Sequence, residues 1–279
     1  IGLSLLKKHT SDPIRVADFG AGKGEFLELV KKNFPTSERF GFDYSPTNLE
    51  ELNRKGIHGV EVNFDEITPQ TYKRLEELKG TFDVITTFAV VEHVFDTNSF
   101  LQLANFLLKK DGILICSTPN LGAYQMRFFS LFEGFPYGEG HHVRFFTFKR
   151  LHMYFFFNGF RKRDERSYFY YGISPIQKST GFPRLPSALL SLLFFIPAFL
   201  LETCHLWKRA TKGDLMVVYI KNGLIPLGVG KIIFQNSWDR LSEIQKGYWR
   251  LEAKKYFRPS SLNRTSDLYH ITTRSHLWG

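Results

Sequence analysis

The feature of this 279-residue chain that most constrains its fold is a short apolar run ending in closely spaced glycines. The run Ile14–Phe19 has the composition of a buried strand, and three glycines occupy alternate positions in Gly20–Gly24. Apolar residues then recur at helical spacing over Glu25–Asn33. A strand that turns through glycines into a helix is typical of a ligand-binding loop. Glycine lets a ligand approach the backbone, and the first amides of the helix face that ligand.

The alternation of strand and helix patterns continues along the chain. Further strands are predicted at Arg39–Tyr44, Val60–Phe64, Phe82–Phe88, Gly112–Ser117, Phe160–Tyr171 and Asp214–Lys221. Helices are predicted between Ser45 and Gly56 and at Thr71–Leu78, Phe100–Leu108 and Phe148–Asn158. Strands alternating with helices at this spacing predict the α/β class: a Rossmann-like, mostly parallel sheet with helices on both faces.

Composition and charge exclude several classes of protein. With 43% apolar and 23% charged residues the chain is globular rather than disordered. Its two cysteines, Cys116 and Cys204, cannot form a disulfide framework or a zinc-ligand pair, which fits a reducing compartment such as the cytoplasm. The net charge of +10 favours acidic partners.

Two acidic residues indicate which nucleoside the glycine loop binds. Asp43 ends the second strand, about twenty residues after the loop, where a carboxylate can accept hydrogen bonds from ribose hydroxyls. The third glycine, Gly24, comes one position too early for the dinucleotide fingerprint. Asp18 would sit badly beside a pyrophosphate but suits a cationic ligand. The residues therefore favour S-adenosylmethionine, which carries a sulfonium and an ammonium, over NAD.

These motifs resemble the class I S-adenosylmethionine-dependent methyltransferases, and most closely the small-molecule branch of the ubiquinone-biosynthesis O-methyltransferase type. The resemblance rests on the glycine loop, Asp43, the strand Phe82–Ile85 leading to Val91–Val94, and the segment Leu107–Cys116. It also includes His142–Thr147. It implies a seven-stranded sheet whose last strand, Asp214–Lys221, is antiparallel, within a methyltransferase domain of residues 1–222.

The resemblance also implies roles for individual residues toward the cofactor. Asp18, Gly20, Gly22 and Gly24 would form the cofactor loop, and Asp43 would hold the ribose. Asp65 is similar to the acid that contacts the adenine amino group, with Phe64 beside the adenine ring. Phe88, at the end of the fourth strand, would lie next to the methionine part.

The acceptor side of the site has four candidate residues. Glu92 and His93 follow the fourth strand, at the edge where ligands bind in open α/β sheets. His93 could act as a base for a hydroxyl nucleophile, or the pair could help to hold a divalent metal. His142 could join them in catalysis, or orient an anionic or hydroxylated substrate together with Arg144. Each of these residues could equally be a structural cap or clamp.

Two segments lie outside the methyltransferase pattern. Residues 184–209 form an apolar insert with basic flanks, interpreted as a membrane contact, a lid over the substrate or ordinary core. Residues 223–279 form a basic, partly helical extension; from Lys221 onward there are ten Lys and Arg against four Asp and Glu. The leading hypothesis is a peripheral membrane enzyme that methylates a small or lipid-like acceptor at an anionic membrane surface.

Two other functions stay open. A nucleic-acid methyltransferase fits the charge, but the motif expected of an adenine N6-methyltransferase is replaced by Thr86-Thr87-Phe88-Ala89. A non-catalytic scaffold with a methyltransferase fold is the alternative from another class. The intact glycine loop and Asp43 argue against it.

Overall fold

The computed structural model describes residues 1–124, 126–127, 142–168, 196–197, 199–201, 203–204 and 214–221. Seven strands are described: β1 Arg15–Phe19, β2 Glu38–Asp43, β3 His58–Glu61, β4 Phe82–Phe88, β5 Leu108–Thr118, β6 Phe160–Tyr168 and β7 Asp214–Lys221. The α-helices of these residues that are assigned bounds are α1 Gly2–His9, α2 Glu25–Asn33, α3 Pro46–Arg54, α4 Pro69–Arg74, α5 Thr97–Leu107 and α6 Phe148–Phe157.

The strands form one sheet in the order β3-β2-β1-β4-β5-β7-β6. Strands β1 to β5 pair in parallel, and β7 runs antiparallel to both of its neighbours. This confirms the predicted Rossmann-like, mostly parallel sheet with its last strand reversed. The carboxyl ends of β1, β2 and β4 consequently lie at one edge of the sheet.

A hydrophobic cluster covers each face of the sheet. One cluster is rich in phenylalanine and is closed by α5 and α6, through residues such as Phe100 and Phe155. The other is formed with α1, α2 and α3, through residues such as Leu6, Leu27 and Leu52. Burial on both faces is what a parallel sheet requires, so the inner strands β1 and β4 are buried along most of their length.

Two local differences from the sequence prediction have physical causes. The third strand is His58–Glu61, earlier than the predicted Val60–Phe64, because its ladder pairs His58 with Phe40. Val62 is buried beyond the strand. Helix α1 was not predicted: it has only eight residues, and helices so short are marginal unless packing stabilises them. Here Leu5 and Leu6 supply that packing.

Several predictions lie outside the described residues. The boundary after Asn222, the extension 223–279 and most of the insert 184–209 belong to this part, so the apolar insert is not confirmed. Its described residues include helical ones, among which Ile196, Phe199 and Leu200 are exposed. In the described part of the chain, helices are too short or too polar to cross a bilayer.

Candidate active site

The glycine loop joins β1 to α2 in a conformation that only glycine adopts readily. Gly20, Gly22 and Gly24 have φ values of +72°, +53° and +80°, in the left-handed region where a Cβ causes strain. A Cβ on Gly20 would lie 2.5 Å from Val90, and one on Gly24 would lie 2.7 Å from Leu52. A Cβ on Gly22 would meet no described atom within 4 Å. Gly20 and Gly24 are thus required by packing, and Gly22 faces open space.

Asp43 joins this loop to the next βα unit. Its Oδ2 accepts a hydrogen bond from the Gly22 amide at 2.9 Å, and its Oδ1 accepts from the Ser45 amide and from Asn48 Nδ2. The side chain is buried at the carboxyl end of β2. A carboxylate has about four acceptor positions, so Asp43 can fix the loop and still accept a bond from a hydroxyl group.

Asp18 is a buried acid near the carboxyl end of β1, an inner strand of the sheet. Its Oδ1 accepts a hydrogen bond from Thr86 Oγ1 at 2.7 Å, across the β1–β4 ladder that pairs the two residues. Burial raises the pKa of Asp18 to about 7, with smaller contributions from the charges of Asp43 and Glu25, although the Thr86 hydrogen bond lowers it. A bound cation would favour the carboxylate. The loop and this acid therefore fit the sulfonium and ammonium groups of S-adenosylmethionine.

The two aromatic residues predicted to line the cofactor each pack against other aromatic rings. The Phe64 ring lies 4.9 Å from that of Phe19 and 5.0 Å from that of Phe100, centroid to centroid, within the core. The Phe88 ring packs edge-on against Phe26 of α2 at 4.7 Å. Both rings are held by neighbouring aromatic residues, which an alternating strand pattern cannot reveal.

Asp65 links the loop after β3 to the loop after β4. Its Oδ1 accepts a hydrogen bond from the Phe95 amide at 2.7 Å, and its own amide donates to Asn63 Oδ1. The carboxylate predicted to contact adenine is thus engaged in holding the backbone at Phe95.

Glu92, His93 and His142 come together, although about fifty positions separate the first two from the third. One potential ligand atom from each lies within 4.8 Å of those of the other two. The rings of His93 and His142 pack edge to face, with their centroids 4.7 Å apart. Glu92 is buried, and its carbonyl accepts hydrogen bonds from the amides of Val143 and Arg144, both at 3.0 Å. One carboxylate and two imidazoles form a donor set that suits a divalent transition metal.

The chain reaches Glu92 through a strained residue. Ala89, directly after β4, has a φ of +52°, which is uncommon for a residue with a side chain. Its amide donates to the Ser117 carbonyl, and the His93 amide donates to the Val90 carbonyl. Strain of this kind persists only where the surrounding structure fixes it, and it is concentrated at functional sites.

Arg144 holds the loop after β4. Its Nε donates to the Val94 carbonyl at 3.3 Å, its Nη2 donates to the Phe95 carbonyl, and its Nη1 donates to the Tyr154 hydroxyl. The guanidinium was predicted to orient the substrate, but it makes these hydrogen bonds within the protein. They correspond to the structural clamp, which was the other interpretation of this residue.

Two contributors to the site were not predicted from the sequence. Thr86 reaches Asp18 and Asn48 reaches Asp43. Thr86 could be found only from the register of β1 against β4. Asn48 lies five residues after Asp43 on the first turn of α3, where a polar side chain can reach back to a preceding acid. The contact between Asn48 and Asp43 could therefore have been predicted from the sequence.

Solved structures share this fold. A Haloferax volcanii methyltransferase in complex with the Trm112 methyltransferase activator matches with a TM-score of 0.51 at 15% identity, covering 79% of this chain and 93% of that one. An S-adenosylmethionine-dependent methyltransferase from Archaeoglobus fulgidus matches with a TM-score of 0.50 at 18% identity, covering 78% and 92%. The fold and its glycine loop define a class I S-adenosylmethionine-dependent methyltransferase.

Comparison at the level of sequence gives the family. A model of the methyltransferase domain matches residues 2–164, and the chain belongs to this methyltransferase family. Ubiquinone biosynthesis O-methyltransferases are similar: that of Colwellia psychrerythraea is 33% identical over 107 residues, and that of Ruegeria pomeroyi is 34% identical over 111 residues. Each alignment covers 38% of this chain and 42% of the relative, so the chain matches less than half the length of these relatives.

Proposed function

We propose that this enzyme transfers the methyl group of S-adenosylmethionine to a hydroxyl oxygen of a small or lipid-like acceptor. The observation that carries the proposal is the cluster of Glu92, His93 and His142 at the carboxyl end of β4. The names of the similar ubiquinone biosynthesis O-methyltransferases support oxygen as the methylated atom.

On the cofactor side, we assign Asp18 to the ammonium group, the glycine loop to the methionine part and Asp43 to the ribose. The open space at Gly22 and the acceptor capacity of Asp43 support these assignments. Asp65 at the β3 loop remains the candidate for the adenine amino group through its second carboxylate oxygen.

On the acceptor side, the residues favour an aromatic hydroxyl. Methyl transfer from a sulfonium is an in-line displacement, so alignment supplies much of the rate, but the hydroxyl must also lose its proton. A phenol has a pKa of about 10, as in tyrosine. This value is much closer to the pKa of an imidazole than the pKa of an aliphatic alcohol is. We assign His93 as the group that accepts this proton.

The same three side chains could instead act as metal ligands. A divalent cation bound by Glu92, His93 and His142 would lower the pKa of a coordinated hydroxyl. In that arrangement Glu92 would supply the negative charge, and His93 and His142 would supply the two imidazole donors. Two vicinal hydroxyls would suit such a site, because both oxygens can approach one cation.

Product analysis on simple hydroxyarenes tests the proposal. Catechol and phenol are incubated with the enzyme and S-adenosylmethionine, and mass spectrometry follows the gain of one methyl group. We expect His93→Gln, Glu92→Gln and His142→Gln to lower turnover by about a hundredfold or more, as loss of acid–base catalysis commonly does. His58→Gln, an exposed histidine stacked on Phe40, is the control. Equal turnover in all four variants would contradict the proposal.

We propose in addition that the insert contacts an anionic membrane surface, at which a lipid-like acceptor would be held. Support comes from the net charge of +10 and from Ile196, Phe199 and Leu200, which are at least half exposed. In flotation with anionic liposomes, replacing these three residues with serine should leave the enzyme in the soluble fraction. Leu29→Ser on α2 is the control, and equal flotation of the triple variant and the wild type would contradict the proposal.

A further inference from the structure

An open cleft of about 310 Å³ lies at the edge of the sheet opposite the candidate active site. It is lined by residues at the amino ends of three parallel strands: Ile14 directly before β1, Asp83 in β4 and Gly112 in β5. Strand β4 has seven residues, and at about 3.3 Å per residue its two ends lie roughly 20 Å apart. The cleft is therefore separate from the residues assigned to the cofactor and to the acceptor.

Polar and charged side chains line much of this cleft. They come from the end of α1 and the chain after it, from the start of β5 and from β6, and include His9, Ser11, Lys109, Lys110, Asp111 and Arg163. Elements distant in the sequence thus bring cations and hydrogen-bond donors to one concave surface. Such a lining suits a charged ligand rather than an apolar one.

The acid Asp83 is already paired within the protein. Its Oδ1 accepts a hydrogen bond from Lys109 Nζ at 2.6 Å, and its Oδ2 accepts from the Arg15 amide at 2.8 Å. These bonds use the charge of Lys109 as well as that of Asp83. Neither of these two side chains therefore determines the charge of the ligand.

Lys110 and Arg163 supply cations that the protein does not use. Both are exposed, and within the part of the chain that the structure describes their side chains make no hydrogen bond or ion pair. Asp111, which follows Lys110, is the opposing charge in the cleft. The unpaired groups of the lining therefore carry more positive than negative charge, which favours an anion.

His9 adds a buried polar group to the same surface. Its side chain is only 8% exposed, and its Nε2 lies 3.2 Å from Asp164 Oδ2. Asp164 also accepts from Lys8 at 2.7 Å, and burial of the imidazole leaves its second ring nitrogen without a protein partner among the described residues. A protonated His9 would present that nitrogen as a further donor in the cleft.

We infer that this cleft binds a phosphate group, with Arg163 and Lys110 as its charged donors. The planar guanidinium of Arg163 matches the oxygens of a phosphate, and the ammonium of Lys110 supplies a compact second charge. The hydroxyl of Ser11 is a further donor. The inference is independent of the proposed methyl transfer, because it concerns the other edge of the sheet. Free phosphates and the head groups of phospholipids share this chemistry.

Calorimetric titration with inorganic phosphate tests the inference. Two charge-assisted hydrogen bonds correspond to a Kd of roughly 1 mM. Replacing both cations, by Lys110→Gln together with Arg163→Gln, should weaken binding by about tenfold or more. The control, Lys73→Gln together with Arg166→Gln, removes the same charge from exposed residues that do not line the cleft. The control should bind phosphate as the wild type does, with or without S-adenosylmethionine.

Flotation separates the two sources of phosphate. Vesicles of phosphatidylcholine with phosphatidic acid are compared with vesicles of phosphatidylcholine alone. If the double variant of the cleft loses flotation with phosphatidic acid and the control variant keeps it, the ligand is a lipid head group. If both variants float as the wild type does while phosphate binding is weakened in the first, the ligand is a soluble phosphate.

Three results would overturn the inference. The first is the absence of saturable phosphate binding by the wild type. The second is equal affinity in the cleft variant and the control variant, because net charge alone would then account for any binding. The third concerns Lys110→Arg, which keeps the charge and should bind phosphate nearly as tightly as the wild type. A loss as large as that of the double variant would mean that residue 110 acts through the fold.

Discussion

Asp18 shows how a single residue can couple the stability of the fold to ligand binding. The side chain is an acid inside a sheet, and burial raises its pKa to about 7. The sequence placed this acid beside the glycine loop, but its partner Thr86 comes from the register of two strands distant in the chain.

The pKa of Asp18 predicts a pH dependence of stability in the absence of cofactor. Because the folded pKa is raised, the folded protein keeps a proton that the unfolded chain releases between about pH 4 and pH 7. Stability is therefore lost as pH rises through this window, by about 4 kcal/mol at most. Thermal unfolding of Asp18→Asn should lack this loss, so the variant should be the more stable protein above pH 7. Parallel pH profiles for the two proteins would contradict the prediction.

Gly22 and Gly56 provide a matched pair of substitutions. Both have positive φ values, +53° and +66°, and a Cβ at either meets no described atom within 4 Å. Alanine should therefore cost a similar 1–2 kcal/mol or so of backbone strain at each position. Only Gly22→Ala should also weaken S-adenosylmethionine binding, by about tenfold or more, because its Cβ fills the space beside the cofactor loop. Calorimetric titration compares them, and equal affinities would place the cofactor away from Gly22.

At the scale of elements, strands with a clear change in composition at each end were predicted well. Elements whose stability depends on tertiary packing were not. Strands β4 and β7 have the predicted bounds, since their apolar runs are bounded by clear changes in composition. Helix α1 depends on contacts that lie far away in the chain. At its end, Lys8 and His9 contact Asp164 of β6, at 2.7 Å and 3.2 Å.

The ion pair between α1 and β6 predicts a stability effect with the opposite sign to that of Asp18. The hydrogen bond from Lys8 lowers the pKa of Asp164 to about 2, with help from His9. The stabilisation is therefore present above about pH 4 and lost as pH falls toward 2. Asp164→Asn should lower the Tm at neutral pH. Glu76→Gln, which removes an exposed pair with Lys79, should change it little, and equal effects of the two would refute a special role for the α1 contact.

For the molecule as a whole, the sequence can group the candidate cofactor residues in a motif, but it cannot show how the acceptor candidates meet. The residues proposed to bind the cofactor lie within short distances along the chain, so a motif can contain them. The cluster of Glu92, His93 and His142 forms only when residues about fifty positions apart meet. All three were candidates, but their meeting depends on the hydrogen bonds from residues 143 and 144 to Glu92.

The separation of the two halves predicts distinct responses to a chelator. The proposed cofactor site consists of Asp18, Asp43 and the glycine loop, none of which belongs to the cluster. If the cluster holds a divalent cation, a chelator should lower turnover while the increase in Tm caused by S-adenosylmethionine stays the same. With S-adenosylmethionine at a hundredfold excess over its Kd, binding should add about 2.7 kcal/mol to the free energy of unfolding. Loss of the Tm increase with chelator would mean that the two halves are not independent.

The most direct measurement identifies the atom that receives the methyl group. The enzyme is supplied with S-adenosylmethionine labelled with carbon-13 in the methyl group and with an alkylcatechol, and the product is analysed by NMR. We predict a labelled methoxy carbon, formed by the wild type and His58→Gln and nearly absent with His93→Gln and Glu92→Gln. A label on carbon or nitrogen, or an undiminished methoxy signal in the His93 and Glu92 variants, would contradict methyl transfer to oxygen at this cluster.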